Sequence, residues 1–250
     1  MFLKILSVNV SKEKGTIKHP VREITLNHLG VMEDAHAGVW HRQVSLLGKE
    51  SIDRFSEQAG RPIAFGEFAE NITSQGIGLV KTSPLDRFVG ENVELEITQI
   101  GKECHGSSCA IFREVGHCVM PKEGIFARVI RQGSLKPGDV LEYVPRIIRI
   151  HVITLSDRAS KGQYEDRSGP RIVDLLKKHF ENKPRNIDVA YTVIPDDASS
   201  LKVLIERTVY DEVDVIITTG GTGIGPRDIT VETGEPMLDK EIPGIMEMIR

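Results

Sequence analysis

The sequence predicts two domains of different class, a mostly-β domain over residues 1–145 and an open parallel α/β sheet with helices on both faces over residues 146–250. Three observations lead there. A length of 250 residues is long for one ordinary domain and comfortable for two. The apolar period changes near residue 146, from short, nearly alternating runs to long strand and helix patterns. Each strand expected in the second half also empties into a polar loop, as in a sheet whose carboxyl edge carries a site.

Taken in order, the first half offers strands at 3–10, 22–26, 92–97 and 139–144, separated by turn residues. One helix interrupts them at 46–59, where Leu47, Ile52 and Phe55 stand near helical spacing among charged neighbours. In the second half IIRIHVITL reads as a buried strand. Ser168-Gly169-Pro170 then opens a helix with proline in its first turn and Ile172, Val173, Leu175, Leu176 and Phe180 on one face. A strand at 187–194, a helix from about 199 to 210, a strand at 214–218 and a helix starting near Thr230 complete the alternation. Right-handed crossovers make such an alternation a parallel sheet.

The loop after the third of these strands lies in VIITTGGTGIGPRDITVE. Glycines at 220, 221, 223 and 225 would let backbone N–H groups approach an anion, and the helix near Thr230 would add its positive end. The stretch is no P-loop, because Gly-Lys-Ser/Thr is missing, and GTGIG does not continue into the dinucleotide fingerprint. Aspartates at the same edge, among them Asp157, Asp196 and Asp228, would repel a phosphate unless a divalent cation lay between them, so the loops point to phosphate with magnesium. The plainer alternatives are a tight connection for the glycines and caps or turns for the aspartates.

Composition narrows the classes further. Lys+Arg 32 against Asp+Glu 36 gives a net charge of -4, without the basic field that nucleic-acid binding needs. The stretch MFLKILSVNVSKEKG is interrupted by Lys4 and Ser7 and lacks a small-residue cleavage site, so neither signal peptide nor membrane span is expected, and the protein is expected in the cytoplasm. There the three cysteines, Cys104, Cys109 and Cys118, are expected as thiols.

The segments ITLSDRASKGQYEDRSGP, VIPDDAS and VIITTGGTGIGPRDITVE resemble the successive motifs of the MogA/MoaB family of molybdopterin-binding proteins. The resemblance implies binding of molybdopterin and, in enzymatic members, its adenylylation from ATP with Mg2+. It places Asp196 and Asp228 on the family's functionally important aspartates, as catalytic residues and Mg2+ ligands, and Ser156, Asp157, Thr219, Gly220, Gly221, Thr222 and Gly223 on its ligand-contacting loops. It also implies a homo-oligomer, trimer or hexamer. The family runs on beyond GIMEMIR through another helix, a strand and a pocket-completing loop, so residues 146–250 are expected to be an incomplete domain.

In the first half, GVMEDAHAGVWHRQVSLL, FGEFAENI and ITQIGKECHGSSC with GIFARVIRQGSLKPGD resemble a MOSC domain, the β-rich module of molybdenum cofactor sulfurases. That resemblance implies a β-barrel-like fold, handling of molybdenum cofactor and a cysteine that carries sulfur. Cys104 matches the family cysteine best, between Lys102 and His105, with Cys118 beside His117 as runner-up. His36, His41 and Arg42 fall in the MOSC motif as cofactor-binding candidates, Arg42 as the fork that would grip an anion; core or cap roles are the alternative. A zinc site is a competing use of the cysteines, but C-x4-C-x8-C lacks the paired C-x2-C knuckles. No stretch reads as a pyridoxal-phosphate desulfurase, so the resemblance implies that pyridoxal phosphate would enter only through a separate cysteine desulfurase partner, with molybdoenzymes as acceptors.

Two readings of function follow. In the first the chain is an enzyme, adenylylating molybdopterin in one half and accepting or transferring sulfur in the other. In the second it is a non-catalytic carrier that shields finished cofactor for delivery.

Overall fold

The computed structural model describes residues 1–103 and 119–249, and it divides into two compact units, Met1–Arg146 and Ile147–Arg250. Among the described residues no helix is long and apolar enough to cross a membrane.

The first unit contains β1 (Phe2–Val10), β2 (His19–Val21), β3 (Ile24–Asn27), β4 (Gly30–Val31), β5 (Val44–Gly48), β6 (Ile72–Gln75), β7 (Arg87–Val89), β8 (Glu94–Ile100), β9 (Ile125–Arg131), β10 (Gly133–Leu135) and β11 (Val140–Val144). Seven of them close a ring in the order β11-β7-β8-β9-β5-β6-β1, because β1 also pairs with β11, Phe2 opposite Glu142. This is the barrel that the MOSC resemblance implied. Alternating side chains fill it: Leu3, Ile5, Val44, Leu46, Ile72, Phe88, Leu95, Ile97, Ile125 and Ala127 are all fully buried. Leu47 takes the other face of β5 and joins Ile52, Phe55 and Phe68 in a second cluster beneath α1 (Lys49–Ala59), with Met120 of the one-turn α2 (Met120–Glu123).

That helix starts three residues later than the 46–59 read from the sequence. Leu46, Leu47 and Gly48 end β5, whose five residues are all buried between β6 and β9. Gly48, in extended conformation, turns the chain into the helix, and Gly60 ends it with φ 66.

The second unit is a three-stranded parallel sheet in the order β13-β12-β14, made of β12 (Ile147–Leu155), β13 (Asn186–Ile194) and β14 (Val215–Thr219). Ile153 and Leu155 of β12 pack on Leu201 of α5 (Ala198–Tyr210), while Thr154 faces Gly169 of α4 (Ser168–Phe180), so helices cover both faces. The register decides where a site can lie. Leu155 is opposite Ile194 and Thr154 is opposite Thr219, so the three strands end level and their three loops leave one edge.

Candidate functional site

The loop after β14 turns at two left-handed glycines, Gly220 at φ 91 and Gly221 at φ 59. A side chain at Gly220 would put its Cβ 2.2 Å from the carbonyl oxygen of Leu155, so the close approach to β12 needs glycine. The far end of the loop is tied back by Thr230, whose N–H donates to the Gly221 carbonyl at 3.0 Å and whose hydroxyl donates to the Gly220 carbonyl at 2.9 Å. Between these ties the backbone N–H groups of Gly221, Thr222, Gly223 and Ile224 donate to nothing among the described residues. Four successive unused amides are available to an acceptor such as an anion. Asp228 borders them: Gly225 N–H donates to its Oδ2 at 2.9 Å, and a Cβ on Gly223 would lie 2.5 Å from that oxygen.

The other two loops meet this one at the edge. Ser156 caps the one-turn helix α3 (Asp157–Ser160), accepting the N–H of Ala159 at 3.2 Å, so its hydroxyl has the capping role. Asp157 N–H donates to Asp196 Oδ2 at 3.0 Å, and the Asp157 carboxylate accepts Arg227 Nη1 at 2.7 Å. Asp157, Asp196 and Arg227 thereby join the loops after β12, β13 and β14. Asp197 caps α5 through Ser200 N–H, which holds its carboxyl below the usual range. Thr219 is the last residue of β14 and half-buried, and Thr222 is exposed.

A further pair beside these loops is legible only in three dimensions. Tyr191 of β13 donates its hydroxyl to Asp166, which also accepts the N–H of Ser168 at 3.0 Å and of Gly169 at 3.1 Å at the start of α4. Burial and the bond to Asp166 push the Tyr191 phenol up to about 12. Burial alone would raise Asp166, but the bond from Tyr191 and the two amides outweigh it and its carboxyl stands below the usual range.

In the first unit the MOSC-motif residues divide among three settings. His36 donates its N–H to Asp34 at 3.0 Å, and Asp34 in turn pairs with Lys18, both side chains being 1% exposed. Burial would raise Asp34, but His36 and Lys18 hold it far below the carboxylate range, whereas burial pushes Lys18 down. His41 shares a hydrogen bond with Gln99 at 2.9 Å. Arg42 lies against aromatic rings, its Cζ 4.8 Å from the centre of Trp40 and 5.6 Å from that of Phe126, and its buried Nε has no hydrogen-bond partner. Trp40 links the first setting to the third, donating Nε1–H to the His36 carbonyl at 2.9 Å. Cys104, with Cys109 and Cys118, lies outside the described residues.

Charged residues that a sequence reader assigns to the surface are also buried here. Glu70 is 0% exposed; its Oε1 accepts Gly66 N–H at 2.6 Å and the Thr73 hydroxyl at 2.8 Å, and Oε2 has no partner. Burial pushes its carboxyl up. Asn9 and Asn71 connect it to Ser45 through Asn9 Nδ2 to the Glu70 carbonyl and Asn71 Nδ2 to the Asn9 carbonyl, each at 3.2 Å.

The chain thus carries, in sequence order, a closed barrel and a level-ended parallel sheet with an open amide loop, in two compact units. Residues 33–142 match the family model of the MOSC domain and residues 151–250 that of a probable molybdopterin binding domain, one match in each unit. It is 41% identical over 98 residues to the molybdopterin adenylyltransferase of Pyrococcus furiosus, covering 39% of this chain and 54% of that one. It is 39% identical over 104 residues to the molybdopterin adenylyltransferase of Helicobacter pylori, covering 41% of this chain and 57% of that one. The chain thus spans about half the length of the curated relatives it matches. The crystal structure of the YuaD protein of Bacillus subtilis covers 58% of this chain and 97% of its own at 17% identity and a TM-score of 0.50, a likeness of fold alone.

Proposed function

We propose that the second unit binds molybdopterin and transfers the adenylyl group of Mg-ATP to its terminal phosphate, and that the first unit binds molybdenum cofactor and accepts or passes on sulfur through Cys104. The observation that carries the first part is the run of unused amides from Gly221 to Ile224 beside Asp228. In the reaction a terminal phosphate oxygen of molybdopterin forms a bond to the α-phosphorus of ATP, the α–β phosphoanhydride breaks, and pyrophosphate leaves. Such a transfer asks for in-line placement and charge neutralisation rather than a protein nucleophile. The amides would hold phosphate oxygens without reorganising.

Magnesium fits the acidic residues present. Asp196 and Asp228 each give Oδ2 to one backbone N–H and keep Oδ1 uncommitted, the hard oxygen donors that suit an ion shared with substrate phosphates. Bound there, magnesium would neutralise charge on the phosphates. Among the described residues no group of three or more potential ligands is gathered, so an ion held by Asp196 and Asp228 would need its remaining oxygens from substrate and water.

The test is to incubate the chain with molybdopterin and Mg-ATP and to look by mass spectrometry for adenylylated molybdopterin, with pyrophosphate released alongside. Product lost in Asp228→Ala is the expected result. Molybdopterin binding without turnover would favour the carrier reading, and no binding would overturn both. For the first unit, persulfide loaded from a cysteine desulfurase should be found on Cys104 after digestion; persulfide on Cys118 that survives Cys104→Ser would move the assignment.

A further inference from the structure

The loop with the open amides also carries a cation committed to another loop. Arg227 stands beside Asp228, and its side chain reaches the loop after β12, where Nη1 donates to Asp157 Oδ2. The two partners are held very differently. Asp157 is fixed in the first turn of α3 by its own N–H bond to Asp196, and its side chain is 24% exposed. The Arg227 side chain is 76% exposed, and its other guanidinium donors meet no acceptor among the described residues.

Charge at the edge asks for such a group. One phosphate can settle on the four amides, but a second phosphate joined to it would face Asp157, Asp196 and Asp228. Arg158, the next residue along, is stacked on the ring of Tyr164, with Cζ 5.1 Å from its centre. Exposed ion pairs contribute little in water, so exchanging Asp157 for a phosphate costs Arg227 little, while phosphate offers the guanidinium a two-pronged, charge-assisted contact.

We propose that Arg227 clamps the second phosphate of a polyphosphate substrate, and that Asp157 is a positioning residue that holds the guanidinium at the mouth until the anion arrives. The proposal rests on reading the glycine loop as a phosphate site. Asp157 then acts through Arg227 and makes no contact of its own with ligand.

The experiment is a double-mutant cycle read by calorimetry with magnesium pyrophosphate and, separately, inorganic phosphate, on variants shown to be folded by circular dichroism. Arg227→Ala should weaken pyrophosphate binding about tenfold and phosphate binding far less, and Arg227→Lys should recover only part of the loss because an ammonium lacks the fork. Asp157→Asn should tighten pyrophosphate binding, and most of that gain should be lost when Arg227→Ala is also present, leaving only the relief of charge repulsion. Pyrophosphate affinity unchanged in Arg227→Ala would overturn the clamp and leave the loop reading intact. Weaker binding in Asp157→Asn, with or without Arg227, would make Asp157 a ligand and overturn its positioning role. A parent chain that takes neither probe would overturn clamp and loop reading together.

Discussion

Asp157 and Asp196 are joined by one hydrogen bond, the N–H of the first to Oδ2 of the second at 3.0 Å, so Asp196 serves the geometry of one loop while standing on another. Its structural and charge roles can be separated. Asp196→Asn keeps an acceptor for Asp157 and should melt near the parent, yet lose magnesium-dependent turnover. Asp196→Ala should in addition lose about 1 kcal/mol of stability with the bond. Calorimetric melting and the adenylylation assay on the same samples check both; full turnover in Asp196→Asn would remove the carboxylate from magnesium binding.

Two glycines three residues apart, Gly220 and Gly223, should respond in different ways. In Gly223→Ala the nearest atoms to the new Cβ belong to the Asp228 carboxylate, a side-chain end that can turn aside, so the fold should survive and Mg-ATP affinity should fall. In Gly220→Ala the Cβ meets the Leu155 carbonyl at a backbone φ of 91, so stability should drop by at least about 2 kcal/mol. Urea unfolding and nucleotide binding, measured on each, distinguish the two outcomes.

Tyr191 offers a spectroscopic reading of the Asp166 cap. In the parent chain one phenol should ionise late, near the value of about 12 set by burial and Asp166. Asp166→Asn removes the charge next to it and should move that step towards the ordinary value of about 10, as followed by absorbance during an alkaline titration. An unmoved step would show that Asp166 does not hold the phenol.

Glu70 should make the barrel more stable in mild acid. Its folded carboxyl titrates above the ordinary 4.5, so between the two values the folded chain keeps a proton that the unfolded chain has released. Stability therefore falls as pH rises through that window and levels off above the raised value. Glu70→Gln abolishes the effect, and its advantage over the parent should grow with pH by at most about 1.4 kcal/mol per unit. The single tryptophan, Trp40, lies in this unit and reports its urea unfolding. A difference constant from pH 4.5 upward would contradict the buried, protonated state.

Arg42 has a buried Nε without partner and two aromatic rings against its guanidinium, which leaves the fork available to an anion. Arg42→Lys should weaken binding of molybdenum cofactor by the first unit about tenfold although the charge is kept. Quenching of Trp40, which lies under the guanidinium, is the measurement; equal affinity in the two forms would take Arg42 out of the site.

The second unit was the more legible half. Its strands are β-branched runs, and α4 carries an apolar face, so the expected elements fall within a residue or two of those observed. The first half hides more. Several of its strands span only two to four residues, too short for alternation to declare itself, and the Leu46-Leu47 run that ends β5 mimics a helix start. Lys18, Asp34 and Glu70 read as solvated charges because burial of a charge depends on partners distant in the chain. The same distance concealed Arg227 as the partner of Asp157, seventy residues earlier.

Closure of the barrel by β1 against β11 has a consequence for synthesis. Phe2 emerges from the ribosome early, but its partner Glu142 is made some 140 residues later. At translation rates of about 5–20 residues per second, β1 waits on the order of ten seconds for the neighbour that completes the ring. During that interval its backbone is an open template for other nascent chains. Slowing elongation before β11 should therefore raise the demand of this protein for chaperones, whereas slowing it after Val144 should not.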